Sequence, residues 1–171
     1  FERYFVRWRH KWDPDPQTNL TSEYYKITDS KRAIHGSQYN FLKDYFFREY
    51  EKDSQPLSYT LLHHNFNYSS VDFLLQKRTN RWYTQLEKLP EVKYSLPSHE
   101  IGDSFFYFEN NTQGANFNYK HAVPSPSTDD INMNRLDTIN KISLPMKVAF
   151  VSFIPFTMSR QTFYDKDIFG S

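Results

Sequence analysis

The chain has 171 residues with 21 Lys and Arg against 20 Asp and Glu, and its formal net charge of +1 excludes a general polyanion binder. It has no cysteine, which removes disulfides, thiolate metal sites and cysteine nucleophiles, and its 4 glycines argue against phosphate-cradling loops. The hydrophobic mass lies in 16 Phe, 13 Tyr and 3 Trp, enough for one core with rings left over for binding surfaces.

From the first residue, Phe1, Tyr4, Phe5, Trp8 and Trp12 recur at helical spacing, flanked by Arg3, Arg7, Arg9, His10 and Lys11. Such a helix is too short to be stable alone in water, so it implies a partner surface of protein, lipid or stacked bases. Asp13-Pro14-Asp15-Pro16 ends it, since Pro lacks a donor and pushes the preceding residue out of the helical region. Residues 1–16 are therefore expected to be a docking arm and residues 17–171 a single body. The docking residues are Phe1, Arg3, Tyr4, Phe5, Arg7, Trp8, Arg9 and Trp12.

A second helix is predicted from Ser37 as N-cap through Tyr39, Leu42, Tyr45, Phe46 and Tyr50. The clearest helical stripe follows Ser69 or Ser70, with Val71, Leu74, Leu75, Arg78, Trp82, Leu86 and Leu89, and Pro90 closing it. Ser104 to Glu109 and Ala115 to His121 read as a hairpin around a loop at 110–114, with Phe117 and Tyr119 alternating with polar residues. Pro124-Ser125-Pro126 is a stiff loop, 129–142 a short helix, and Val148 to Ile154 a buried strand. The run between Lys147 and Arg160 is too short for a transmembrane helix and contains Pro155. The expected fold is α+β: a small mixed domain with two or three helices, a β-hairpin and an extended or helical N-terminal arm.

His63-His64 is the densest imidazole pair, but strand neighbours point to opposite faces and cannot chelate alone. His99-Glu100 and Asp103 have no spacing that selects acid-base chemistry, and no nucleotide, hydrolase or zinc-protease motif occurs. Arg78, Arg81 and Trp82 combine charge with a ring, as an RNA contact would.

These features imply no catalysis, cofactor or metal. They point to a structural accessory subunit of a large multiprotein assembly. The scarcity of Gly beside abundant Phe, Tyr and Asn, and a chain beginning at Phe1, suggest a processed mitochondrial protein. A respiratory-chain or ATP-synthase complex, peripheral to the inner membrane or in the matrix, suits a basic aromatic segment at a lipid interface. The rivals are a mitochondrial ribosomal protein with local rRNA contacts and a small soluble α+β enzyme or ligand-binding domain with an aromatic pocket. Expected partners are other subunits, with peripheral lipid contact and less favoured rRNA, and no transmembrane helix.

Overall fold

The computed structural model describes residues 4–27, 41–53, 55–81, 83–122 and 130–166. Strands dominate it: β1 (Phe5–Asp15), β2 (Thr18–Ile27), β3 (Ser58–Asn65), β4 (Ser70–Lys77), β5 (Gln85–Glu100), β6 (Tyr107–Lys120) and β7 (Ile131–Ser143). The small strands β8 (Met146–Val148) and β9 (Val151–Phe153) precede β10 (Phe156–Tyr164). Helices α1 (Phe41–Tyr45) and α2 (Phe47–Lys52) lie between β2 and β3. Eight strands form one sheet in the order β1-β2-β3-β4-β5-β6-β7-β10, every pairing antiparallel, with β8 and β9 a separate hairpin between β7 and β10.

This corrects the α+β expectation: the fold is an antiparallel meander with two short helices. The N-terminal segment is the edge strand β1, paired along its length with β2. Its rings misled because a spacing of four, as between Trp8 and Trp12, is one helical turn and also two strand repeats. The segment Val6-Arg7-Trp8-Arg9-His10-Lys11-Trp12 is a strict period-two alternation.

The stripe after Ser70 is not a helix. Val71, Phe73 and Leu75 share one face of β4, which stops at Lys77, and β5 begins at Gln85. Residues 110–114 are not a hairpin loop, because β6 runs straight through them between β5 and β7. The helix expected over 129–142 is strand β7, and the buried strand at 148–154 is instead the exposed β8–β9 hairpin. The second helix is present in shortened form as α1 and α2. Its N-cap at Ser37 and the loop at Pro124–Pro126 lie outside the described residues.

A conventional core is almost missing. Ile27 and Leu42 are buried against each other with Phe5, Tyr50 and Tyr83 around them, so α1 caps one end of β1 and β2. Buried Asn80 supports this corner by accepting the Ile27 backbone N–H at 2.9 Å. Few other apolar side chains are buried, and no second layer covers the sheet among the described residues. No described helix is long and apolar enough to cross a membrane.

The two ends of the sheet differ. At one end Pro16-Gln17 joins β1 to β2, residues 66–69 join β3 to β4, and 101–106 join β5 to β6. The β8–β9 hairpin lies at this end too. The other end, the long-loop end, carries the longest connection, 28–57, with 78–84 and 121–130, while the β7–β10 connection at the first end spans 144–155.

Candidate functional site

Side chains alternate across a strand and register partners share a face, so the pairing assigns nearly every residue to one of two surfaces. One register row crosses all eight strands: Trp12, Leu20, Leu62, Phe73, Val92, Gly114, Leu136 and Phe163. Every member is apolar or glycine. Among the described residues no layer packs on this row: Trp12 is 56% exposed, Leu136 46%, Leu62 39% and Phe73 36%. Val6, Trp8, Tyr24, Leu75 and Tyr94 extend the apolar surface on either side of the row.

The opposite face carries a matching polar row, in which Asn19, His63, Asp72, Lys93, Gln113, Asp137 and Thr162 are partners in series. Ion pairs knit this face together. Arg9 Nε meets Glu23 at 2.7 Å, and Lys141 Nζ meets Glu109 at 3.5 Å. Arg160 donates two hydrogen bonds to Asp137, at 3.0 and 2.7 Å, and Thr162 donates a third at 2.8 Å. Asp137, Ala115 and Phe117 are buried on this face. Along β1 the alternation places Arg7, Arg9 and Lys11 on this face and Trp8 and Trp12 on the other.

The apolar face has no Lys, Arg, Asp or Glu across its middle. Its charges lie nearer the two ends, Asp15 at the β1–β2 turn and Lys26, Lys77, Glu87, Lys120 and Asp165 toward the long-loop end. Where β6 and β7 bring polar groups to this face, they satisfy one another: Asn110 Nδ2 donates to Asn140 Oδ1 at 2.7 Å, and the Thr112 and Thr138 hydroxyls are 2.8 Å apart. Asn116 Nδ2 donates to Asn134 Oδ1 at 2.7 Å, and Asn134 Nδ2 in turn to Asp165 Oδ2 at 2.6 Å. Asp165, in the turn after β10, is held below the ordinary carboxylate range, chiefly because it accepts the Asn134 backbone N–H.

No protein-family model, curated protein or solved structure matches this chain. The arrangement of side chains therefore carries the functional reading.

The sequence-selected residues are dispersed by the sheet. Phe5 packs against the Ile27–Leu42 corner and the rings of Tyr25 and Phe46. Arg7 pairs with Glu49 at 2.7 Å, and Tyr4, Trp8 and Trp12 are exposed. Phe1, Arg3 and Trp82 lie outside the described residues. Arg78 donates to the His121 carbonyl at 2.5 Å and so ties the β4–β5 loop to the end of β6, while Arg81 is exposed in that loop. His63 and His64 point to opposite faces, as strand geometry requires: His63 meets Asp72, and His64 meets Thr18 at 2.7 Å. Among the described residues no group of three or more His, Asp or Glu converges as a metal site would need.

Sequence reasoning missed the whole transverse row, including Leu62, Phe73, Val92 and Leu136. The alternation in β1 and β4 was the available signal, while the alignment of eight strands was not visible before the pairing was known.

Proposed function

We propose that this sheet is a membrane-crossing β-wall of outer-membrane type, with the apolar face against lipid acyl chains and the charged face toward a polar interior. The observation that carries this reading is the exposed row from Trp12 to Phe163, apolar across eight strands, directly behind a row that is polar across seven. Eight strands at about 4.8 Å spacing make this row roughly 38 Å wide.

Three further features agree. Up-and-down antiparallel order is the topology of such barrels, and strands of about 9–11 residues suffice when tilted. The strands of the sheet run from 8 to 16 residues, β3 and β4 being the shortest. Lys26, Lys77 and Lys120 at the long-loop edge of the apolar face suit a headgroup boundary, where Lys can lay its stem on apolar surface and keep its charge in water.

Hydrocarbon offers no hydrogen bonds, so each unpaired backbone group exposed to it costs several kcal/mol. The edges β1 and β10 are accordingly paired with strands when the sheet is in a bilayer. The proposal keeps the membrane as partner but replaces a basic aromatic helix lying on the surface with strands that pass through. An outer membrane, bacterial or organellar, is the compartment that this architecture implies. The role is structural and non-catalytic, a wall bounding a polar lumen.

The test is refolding into phosphatidylcholine vesicles with brominated acyl chains. The expected result is folded β-structure only when lipid or detergent is present, with tryptophan emission quenched by the bromines. A monodisperse, folded protein in detergent-free buffer that takes up no lipid would refute the proposal and leave the apolar face to a protein partner.

A further inference from the structure

The central apolar row has one gap. Gly114 offers no side chain on the apolar face, and its register partners Val92 on β5 and Leu136 on β7, with Phe163 beyond, wall a groove of about 540 Å³. Toward the long-loop end the groove meets the Asn134–Asp165 pair, the last link of a hydrogen-bonded chain on that face. It is thus apolar at the level of the mid-sheet row and polar one step nearer the headgroup boundary, the profile of an amphiphile lying along the strands.

Charge narrows the choice of head. Asp165 is exposed and held ionised, and each carboxylate oxygen, already accepting from Asn134, keeps lone-pair capacity toward solvent. A carboxylate repels an anionic head and offers a quaternary ammonium, which has no N–H groups, charge attraction without a hydrogen bond. A primary ammonium can give it a charge-assisted hydrogen bond.

We propose that the Gly114 groove seats one acyl chain of a lipid with a primary-ammonium head, of the phosphatidylethanolamine class, whose ammonium donates to Asp165. This inference rests on the membrane-crossing reading of the sheet. Gly114 is the determinant because any side chain there would occupy the groove. A Cβ at this position would meet Leu136 Cδ1 at 3.7 Å, ordinary van der Waals contact, so the first carbon of a side chain is accepted without forcing the backbone.

The experiment is native mass spectrometry of the full chain refolded in vesicles of phosphatidylethanolamine, phosphatidylcholine or phosphatidylglycerol and then released into mild detergent. Wild type should retain one phosphatidylethanolamine, with about tenfold less phosphatidylcholine or phosphatidylglycerol, a difference of about 1.4 kcal/mol. Gly114→Leu should lose the retained lipid while inserting normally. Asp165→Asn should keep a lipid but lose the preference for the primary ammonium. Equal retention by wild type and Gly114→Leu, both inserted, overturns the groove while leaving the membrane reading intact. Equal retention of the three lipids by wild type overturns the assignment of the head. Failure of wild type to insert in any vesicle overturns the membrane reading and this inference with it, whereas failure of Gly114→Leu alone overturns only the assignment of Gly114 as a gap that a side chain can fill.

Discussion

Replacing Leu62 by arginine tests the lipid-facing assignment most directly. Leu62 sits mid-strand in β3 between its register partners Leu20 and Phe73 and is 39% exposed, so a longer side chain has room to leave the surface without breaking a packed core. In hydrocarbon the cost comes from the charge: Arg on the lipid face of a β-barrel near the bilayer midplane costs about 2–4 kcal/mol. That is roughly 30- to 900-fold in the folding equilibrium, at 1.36 kcal/mol per factor of ten. On a water-facing surface the same change would stay within about 0.5 kcal/mol. Leu61→Arg is the control, one residue along the strand and so on the charged face between Thr21 and Leu74. It loses only part-buried leucine packing, about 1 kcal/mol. Urea titration in phosphatidylcholine vesicles, followed by tryptophan fluorescence, gives both values. A Leu62→Arg cost below about 0.5 kcal/mol, or no larger than that of Leu61→Arg, would refute the assignment of faces.

Three other outcomes follow from the local structure. Asn80→Ala leaves the Ile27 backbone N–H without its buried acceptor and should cost about 1–3 kcal/mol by denaturant titration. Leu42→Ala removes half of the buried Ile27–Leu42 pair, and should abolish hydrogen-exchange protection in α1 and α2 while β5 to β7 stay protected. Because the Asp165 carboxyl is held below its ordinary value, its contribution is complete above the unfolded-state value and is lost as the pH falls through the lower folded one. The Asn134 amide, corrected for intrinsic exchange rate, should therefore lose protection on acidification below the usual carboxylate range, and Asp165→Asn should remove that pH dependence.

Part of the fold was legible in local alternation. Val6 to Lys11 alternates apolar or imidazole with basic, and Phe117 and Tyr119 alternate with asparagines, and both segments are strands. The 71–89 stripe misled because Val71 and Leu75 stand four apart, a spacing common to both periods, and Leu74 completed a helical face. Phe73, the residue that decides for a strand, falls outside the helical pattern. Residues 110–114 looked like a turn because Asn, Thr and Gly are turn formers when judged by their neighbours in sequence. In β6 the Asn110 and Thr112 side chains instead meet Asn140 and Thr138 across the sheet.

The sequence by itself determined that the chain lacks cysteine chemistry, that its charge is balanced, that its hydrophobic mass is ring-heavy and that several segments alternate with a two-residue period. It also showed that paired histidines at 63 and 64 could not chelate alone. Only the tertiary structure decided that eight strands lie side by side in one meander, which residues share a face, and that an uncharged row from Trp12 to Phe163 stands uncovered. The physical reason lies in where a strand finds its partners. A helix closes its hydrogen bonds within four residues, whereas a strand's bonds and same-face neighbours come from segments tens of residues away, so the two faces exist only once the register is set.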